Sequence, residues 1–137
     1  MRPDIHKAGF LLVREGRVLL CRKHRSTALL ILPGGRIENG ESAEECVRRE
    51  LREELGEVEP AGLQFLGAYE EQAAEGDGRT IRIELFGGEL TGRPQACAEI
   101  AELVWFGVDD DRALLAPSLR NRIVPDLIER QLLPWSG

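Results

Sequence analysis

The segment that most constrains the fold of this chain is residues 43 to 55, AEECVRRELREEL, which has the sequence of an α-helix. Ser42 precedes it as a good N-cap, and Glu45 follows three residues later, so the two form a capping box. Gly56 stands where a helix commonly ends. The sequence therefore predicts a helix with both of its ends defined.

The apolar stripe of this helix contains negative charge. At about 100° per residue, Glu50 and Glu54 fall within about 20° of the centre of the stripe, and Glu53 lies at its edge. The apolar members of the stripe are Ala43, Cys46, Val47, Leu51 and Leu55. Side chains four residues apart on a helix are neighbours, so the carboxylates of Glu50 and Glu54 repel each other.

Two interpretations of these carboxylates remain open on the residues alone. In the first interpretation, the two carboxylates extend to solvent at the boundary of the apolar stripe or pair with arginine, as most helical charges do. Alternatively, a divalent cation neutralises them, because leaving such charges under-solvated costs several kcal/mol per ion. A ligand set made only of oxygens favours Mg²⁺ or Mn²⁺ over zinc.

The composition excludes several classes of protein. A chain of 137 residues with 42% apolar residues suits one domain, 1–137, with a sizeable core. No window approaches the ~18 apolar residues of a membrane span, and the first residues lack the apolar segment of a secretory signal. The net charge of −6 argues against binding a nucleic-acid polymer. Cys21, Cys46 and Cys97 fit neither a disulfide framework nor a zinc site, which predicts three buried thiols and a reducing, cytoplasmic location.

The remaining segments predict a mixed β-sheet with helices on its faces. Residues 8–24 read as one hairpin, 28–32 as a short apolar run, and 118–133 as a helix that Pro125 kinks or restarts. Three further strands are predicted at 63–72, 79–90 and 102–108, with a loop without core residues at 73–78.

From Gly35 the chain reads GRIENGESAEECVRRELREELGE, which resembles the Nudix box: Gly, five residues, Glu, seven residues, Arg-Glu-apolar-any-Glu-Glu-any-Gly-apolar. The matching positions are Gly35, Glu41, Arg49, Glu50, Leu51, Glu53, Glu54 and Gly56. The only departure is Glu57, which stands where the family has an apolar residue. Pro33 and Gly34 before the box, and the strand order around it, extend the resemblance to a single Nudix hydrolase domain over 1–137.

The resemblance implies a fold and a reaction. Nudix domains are α/β/α sandwiches with a mixed β-sheet, in which the box forms a loop–helix–loop. They hydrolyse a nucleoside diphosphate linked to another group, X, and use Mg²⁺ or Mn²⁺. By this resemblance Glu50, Glu53 and Glu54 are metal ligands, and Gly34 or Gly35 adds a backbone carbonyl.

The resemblance also assigns positioning and catalytic roles. Glu41 and Arg49 match a structural ion pair that orients the helix, and Arg49 would hold Glu50 in place. In MutT-type members a loop glutamate six residues before a tryptophan acts as a base or metal ligand, and Glu99 has that spacing from Trp105. Glu53 is the rival base.

Substrate choice is less constrained. The segment CRKHR, residues 21–25, is a basic cluster in which Arg22 resembles a base-side arginine of the MutT group. Arg36 in the box loop and Glu102 are further candidates for contact with substrate. The alternative for each is a solvated surface charge, and for Glu99 a solvated loop charge in a mobile segment, 92–102.

The small size and the spacing of Glu99 favour (deoxy)nucleoside triphosphates, including 8-oxo-dGTP, over ADP-ribose or ADP-sugars. The asparagine with which MutT enzymes read oxidised guanine has no secure match, since Asn121 and Leu119 align equally well. A catalytically weak nucleotide sensor is the alternative outside enzymes. The expected partner is a nucleotide substrate, with no nucleic-acid polymer and no membrane, for a monomer or homodimer.

Overall fold

The computed structural model describes residues 3–24, 29–72 and 78–135. The strands are β1 (Ile5–Leu11), β2 (Val13–Arg14), β3 (Arg17–Lys23), β4 (Gly34–Arg36), β5 (Glu59–Gln72), β6 (Thr80–Thr91) and β7 (Ile100–Phe106). The helices are α1 (Ala43–Leu55) and α2 (Val124–Glu129), with a 3-10 turn at Arg112–Leu114 and a π-helical turn at Leu119–Ile123. Arg25, Ala28 and most of the predicted loop 73–78 lie outside the described residues.

The strands form two sheets. One has the order β4-β1-β6-β5, with β1 and β6 parallel and the other pairs antiparallel. The other has the order β2-β3-β7 and is antiparallel. The predicted mixed sheet is therefore confirmed in its strand directions, but it is divided in two.

The prediction of one hairpin over residues 8–24 is wrong for its first strand. Only β2 and β3 pair as a hairpin around the turn at Glu15 and Gly16. Strand β1 instead lies between β4 and β6 in the other sheet. Residues 8–12 are all buried, and a strand covered on both faces belongs inside a sheet rather than in an exposed hairpin.

The two faces of the sheets carry separate cores. On one face α1 packs Val47, Leu51 and Leu55 with apolar residues of the strands, including Phe10 and Phe86. On the other face the π-helical turn and α2 pack with Leu11, Leu20, Leu85, Phe106 and Trp135. Successive strand residues point to opposite faces, so helices cover both sides. The predicted α/β/α sandwich is confirmed.

The boundaries of other elements differ modestly from prediction. Strand β5 begins earlier, at Glu59, and tolerates Pro60 because it lies at the edge of its sheet. The predicted helix 118–133 is a π-helical turn followed by the short α2, and Pro125 lies in the first turn of α2, where a missing N–H costs little. Among the described residues, none of the helices has the length and apolar character needed to cross a membrane.

Candidate active site

The ends of helix α1 are those that the sequence predicts. Glu45 N–H donates to the Ser42 hydroxyl at 3.0 Å, and Ser42 N–H donates to the Glu45 carboxylate at 2.8 Å. Gly56 ends the helix with a φ of 88°, which glycine adopts without strain. The local sequence alone thus sets the start and the end of the helix that carries the glutamates.

The three glutamates of the box lie at three depths. Glu54 is buried, with 6% of its surface exposed. The side chain of Glu50 is 15% exposed and that of Glu53 is 54% exposed. This order follows the helical wheel, which places the first two inside the apolar stripe and the third at its edge.

The buried carboxylate of Glu54 has one described hydrogen bond, from Gly34 N–H at 2.8 Å. Burial raises the pKa of Glu54 to about 7, and the bond from Gly34 only partly opposes the shift. Burial also raises the pKa of Glu50, against the lowering effect of its hydrogen bond from Arg49. For both carboxylates the cost of desolvation on burial therefore outweighs the attraction of the neighbouring cations.

The pairing of β4 with β1 separates the roles of the two glycines. Phe10 N–H donates to the Pro33 carbonyl at 2.9 Å. Antiparallel pairs alternate between bonded and non-bonded, so the next pair, Gly9 with Gly34, is a non-bonded one. The backbone groups of Gly34 then point away from β1, and its N–H reaches Glu54.

Gly35 leaves room for a carboxylate. A Cβ atom added at Gly35 would lie 2.4 Å from the carboxyl carbon of Glu50, closer than any real contact. The Gly35 carbonyl faces helix α1 and lies 3.4 Å from the sulfur of Cys46. Gly34 is thus the glycine whose carbonyl lies outside the β1–β4 ladder, whereas Gly35 provides space.

Arg49 links the loop to the helix. It donates to the Glu41 carboxylate at 2.7 and 3.0 Å, and to the Arg36 carbonyl at 3.1 Å. The pair with Arg49 lowers the pKa of Glu41 to about 2. Arg49 also donates to Glu50 at 2.8 Å and contacts Glu53 at 3.3 Å. The Glu41–Arg49 ion pair and the contact with Glu50 are both present, as the resemblance implies.

These residues fit a hard divalent cation by their chemistry. The donors are carboxylate oxygens and a backbone carbonyl, the ligands that Mg²⁺ and Mn²⁺ prefer, and Gly35 supplies a recess that a Cβ would fill. As the side chains stand, no three His, Cys, Asp or Glu residues within 3–24, 29–72 and 78–135 converge on one point. Arg49 lies between Glu50 and Glu53, and the exposed Glu53 would have to turn to join the other two.

A charged cavity of about 750 Å³ opens beside these glutamates. It is lined by the carboxylates of Glu50, Glu54 and Glu99 and by the cations Lys7, Lys23, Arg36 and Arg79, together with Ile5, Gly34 and Gly35. Cations beside carboxylates suit a polyphosphate held near a metal ion. The protein as a whole is acidic, so these four cations form a local positive cluster on a negatively charged protein.

A second, mainly apolar cavity of about 690 Å³ adjoins the first. Lys7 and Lys23 line both cavities and so mark their junction. The apolar lining comes from Ile5, Ile31, Leu32, Ile81, Ile83, Ala116 and Leu119, with Ser118 as a polar member.

Glu99 lies in the charged cavity, where its side chain is 82% exposed and 3.9 Å from Lys23. The preceding loop is held at its backbone: Gln95 and Cys97 N–H donate to the carbonyls at the end of α1, each at 2.9 Å. These bonds do not favour the mobile loop that the sequence suggests, and we expect the side chain of Glu99 to move instead. Cys97 is partly exposed in this loop, so the prediction of three buried thiols is wrong for it.

Two candidates for contact with substrate lie elsewhere. Arg22 and Glu102 face each other across β3 and β7 and form an ion pair, and neither is among the described residues that line the two cavities. The neighbouring residue Lys23 reaches both cavities instead. Successive strand residues point to opposite faces, so Lys23 reaches the cavities and Arg22 does not. A register shift between Arg22 and Lys23 makes the direction of these side chains hard to predict from sequence.

The sequence also missed Lys7 and Arg79. Lys7 is in β1 and Arg79 precedes β6, and only the parallel pairing of these two strands brings them together. Asn121 donates to Glu71 at 3.3 Å and is not among the described residues that line the two cavities. Leu119 takes the place beside the apolar cavity.

Comparison with known proteins places the chain in a family. The profile of the NUDIX domain matches residues 5–127. The chain is 36% identical over 127 residues to the NAD-capped RNA hydrolase NudC of Pseudomonas entomophila, covering 91% of this chain and 45% of the relative. It is 32% identical over 131 residues to the protein of that name from Chromobacterium violaceum, covering 93% and 48%. The chain spans about half the length of these curated relatives.

Solved structures agree with the family profile. The MutT NUDIX hydrolase of Burkholderia pseudomallei superposes with a TM-score of 0.69 at 28% identity, covering 81% of this chain and 88% of that chain. A NUDIX hydrolase of Nitrosomonas europaea superposes with a TM-score of 0.73 at 26% identity, covering 96% and 89%. The resemblance drawn from the box is confirmed, and the chain belongs to the NUDIX family of hydrolases.

Proposed function

We propose that this chain is a Mg²⁺- or Mn²⁺-dependent pyrophosphohydrolase. It cleaves a nucleoside diphosphate linked to a group X and yields a nucleoside monophosphate with pyrophosphate or a phosphorylated X. The observation that carries the proposal is the junction of the two cavities. The charged one, with Glu50, Glu54 and four cations, suits the pyrophosphate, and the apolar one suits the base.

In the proposed site Glu50, Glu53, Glu54 and the carbonyl of Gly34 would hold the metal. A bound Mg²⁺ or Mn²⁺ would neutralise the pyrophosphate and lower the pKa of an attacking water. Arg49 keeps Glu50 over the recess at Gly35, which is a positioning role.

The chain's other residues orient the substrate and move the proton. Lys7 and Lys23 lie where the phosphate next to the nucleoside would pass between the cavities, and Arg36 and Arg79 face the remaining phosphates. Water attacks one phosphorus, the bridging P–O bond breaks, and the leaving phosphate takes up the negative charge. Glu99 accepts the proton of the water, with Glu53 as the alternative base.

Two substrate classes are candidates within this reaction. Nucleoside triphosphates fit the small apolar cavity and the Glu99 spacing, and 8-oxo-dGTP is one of them, although Asn121 is not placed to read it. The names of the curated relatives favour a second class, dinucleotides such as NAD and the NAD-capped 5′ end of RNA. A capped RNA would bring a polymer to the site, contrary to the expectation from net charge.

The test is a panel of nucleoside triphosphates, NAD, ADP-ribose and a capped RNA, each with Mg²⁺ or Mn²⁺ and each repeated in chelator. The products expected are a nucleoside monophosphate with pyrophosphate or a phosphorylated X. Hydrolysis in ¹⁸O-labelled water shows which phosphorus is attacked. Release of orthophosphate alone from a triphosphate contradicts the proposal, and tight nucleotide binding without turnover indicates a sensor.

A further inference from the structure

Two side chains join the beginnings of β1 and β6. Asp4 N–H donates to the Thr80 hydroxyl at 3.2 Å, and Thr80 N–H donates to the Asp4 carboxylate at 2.8 Å. The Thr80 hydroxyl also donates to the same carboxylate oxygen at 3.3 Å. The backbone pairing of the two strands begins at the next residues, Ile5 with Ile81. These bonds, the Asp4–Thr80 clamp, therefore close the two strands one residue before their first backbone pair.

The clamp lies beside the charged cavity, although neither of its residues is among the described residues that line that cavity. Arg79, which directly precedes Thr80, does line it. Further along the strand, Ile81 and Ile83 line the apolar cavity. In an extended chain every second residue points to the same face. Arg79 thus shares a face with these isoleucines when the chain is extended at Thr80, which is the residue that the clamp holds.

The direction of Arg79 matters for the anion that it would bind. Its residue is exposed at the charged cavity. A guanidinium binds phosphate through a planar fork of N–H groups, which must face the phosphate oxygens. A backbone that is already fixed at Thr80 leaves less freedom to be lost when Arg79 meets a phosphate.

We propose that Asp4 and Thr80 are positioning residues that hold Arg79 toward the outer phosphates of the substrate. This rests on the proposed function, in which Arg79 faces the phosphates beyond the one next to the nucleoside. Because the clamp acts on substrate only through Arg79, the clamp and Arg79 are coupled in the binding of a polyphosphate. The contribution of the clamp to folding is independent of Arg79, and this separates a positioning role from a structural one.

The test is a double-mutant cycle between Asp4 and Arg79. Its readout is the affinity for α,β-methylene ATP with Mg²⁺, measured by calorimetry. Asp4→Ala removes the two bonds that the carboxylate accepts and should weaken binding about three- to tenfold, the size of one hydrogen-bond contribution. In the Arg79→Gln background the same change should alter the affinity by less than about twofold. The melting temperature should fall equally in both backgrounds, because strand closure does not need Arg79.

Two further variants define the effect. Asp4→Asn keeps an oxygen that accepts from Thr80 N–H, so it should weaken binding less than Asp4→Ala does. Glu70→Ala is the matched control, because it deletes a carboxylate that accepts from Arg82 of β6 at 3.0 Å. Neither Glu70 nor Arg82 is among the described residues that line the two cavities, and Glu70→Ala should leave the affinity unchanged.

The inference is overturned if the wild-type protein does not bind the analogue, or if Asp4→Ala leaves its affinity unchanged. It is also overturned if Asp4→Ala weakens binding equally in both Arg79 backgrounds. An equal loss with Asp4→Asn would assign the effect to the charge of Asp4 and likewise contradict positioning.

The analogue separates this inference from the proposed reaction, because its methylene bridge cannot be hydrolysed and the cycle needs no turnover. Coupling between Asp4 and Arg79 without hydrolysis of any nucleotide in the panel supports the clamp and contradicts the proposed reaction. Hydrolysis without coupling supports the reaction and overturns the role of the clamp.

Discussion

At the scale of single residues, Glu54 is an ionisable group placed in the interior of the protein. Its side chain is buried, and its carboxyl group accepts a hydrogen bond from Gly34 N–H at 2.8 Å. Burial of a carboxylate is unfavourable, so the folded protein keeps the proton of Glu54 to about pH 7. A bound metal ion or a neutral substitution would each remove the cost of burying this carboxylate. The role of Glu54 can therefore be tested by adding metal and by substitution.

The first prediction concerns Glu54→Gln in chelator. Because the pKa of Glu54 is raised from 4.5 to about 7 on folding, the folded protein binds more protons than the unfolded chain between these values. Stability from this group is fully present below pH 4.5 and is lost as the pH rises through 7. Urea unfolding should therefore show that Glu54→Gln flattens this pH dependence and is more stable than wild type at pH 8.

Glu57→Gln, which alters an exposed carboxyl group beyond the helix, is the control and should keep the wild-type slope. If Glu54 is a metal ligand, Glu54→Gln should also lose activity by at least about a hundredfold. A variant that is fully active and keeps the wild-type pH slope would contradict both roles.

The second prediction concerns the base. Glu99 lines the charged cavity, and its exposed side chain supports little packing. Glu99→Gln should lower kcat by about 10²–10⁴-fold and leave the melting temperature almost unchanged, while the acid limb of the pH–rate profile flattens or moves. If Glu99→Gln keeps most of its kcat and Glu53→Gln loses it, the base lies within the box.

At the scale of elements, the features that depend on local interactions were predictable from the sequence, and those that depend on strand pairing were not. Helix α1, its caps and the Glu41–Arg49 pair depend on residues within a few turns of each other, and all were predictable. The junction lysines were not, because Lys7 reaches the site through the pairing of β1 with β4, where it lies opposite Arg36, and through the pairing of β1 with β6. Lys23 depends in the same way on the pairing of β3 with β7 and its register shift.

The third prediction tests the recess at Gly35. The backbone there has no positive φ, so Gly35→Ala adds only a Cβ, which would lie 2.4 Å from the carboxyl carbon of Glu50. The carboxylate must move, and we expect activity to fall by at least about tenfold, as when metal ligands are misplaced, and a higher metal concentration to be needed.

Gly107→Ala is the matched control for the third prediction, since its Cβ would meet Arg17 at an ordinary 3.5 Å. It should keep activity and metal dependence. Unchanged metal dependence in Gly35→Ala would show that the position of Glu50 does not limit metal binding.

At the scale of the whole molecule, the site lies where separately anchored parts meet. Helix α1 belongs to one core, and the turn with Leu119 belongs to the other, while β1, β3 and β4 contribute the residues between them. A ligand that binds across these parts stabilises the folded state as a whole, because unfolding either core removes the site.

The last prediction follows from this linkage. A cation that binds only the folded protein adds RT ln(1 + [L]/Kd) to the free energy of unfolding, roughly 2.7 kcal/mol at a hundredfold excess over Kd. We expect Mg²⁺ or Mn²⁺ to raise the melting temperature, and chelator to abolish both this increase and turnover. NaCl at matched ionic strength is the control for screening of surface charge, and it should give little of the effect. Glu54→Gln should lose most of the metal-dependent increase, because one buried ligand is gone, while keeping the response to NaCl. Full turnover in chelator, or an equal rise with NaCl, would show that the carboxylates of α1 do not bind a metal ion.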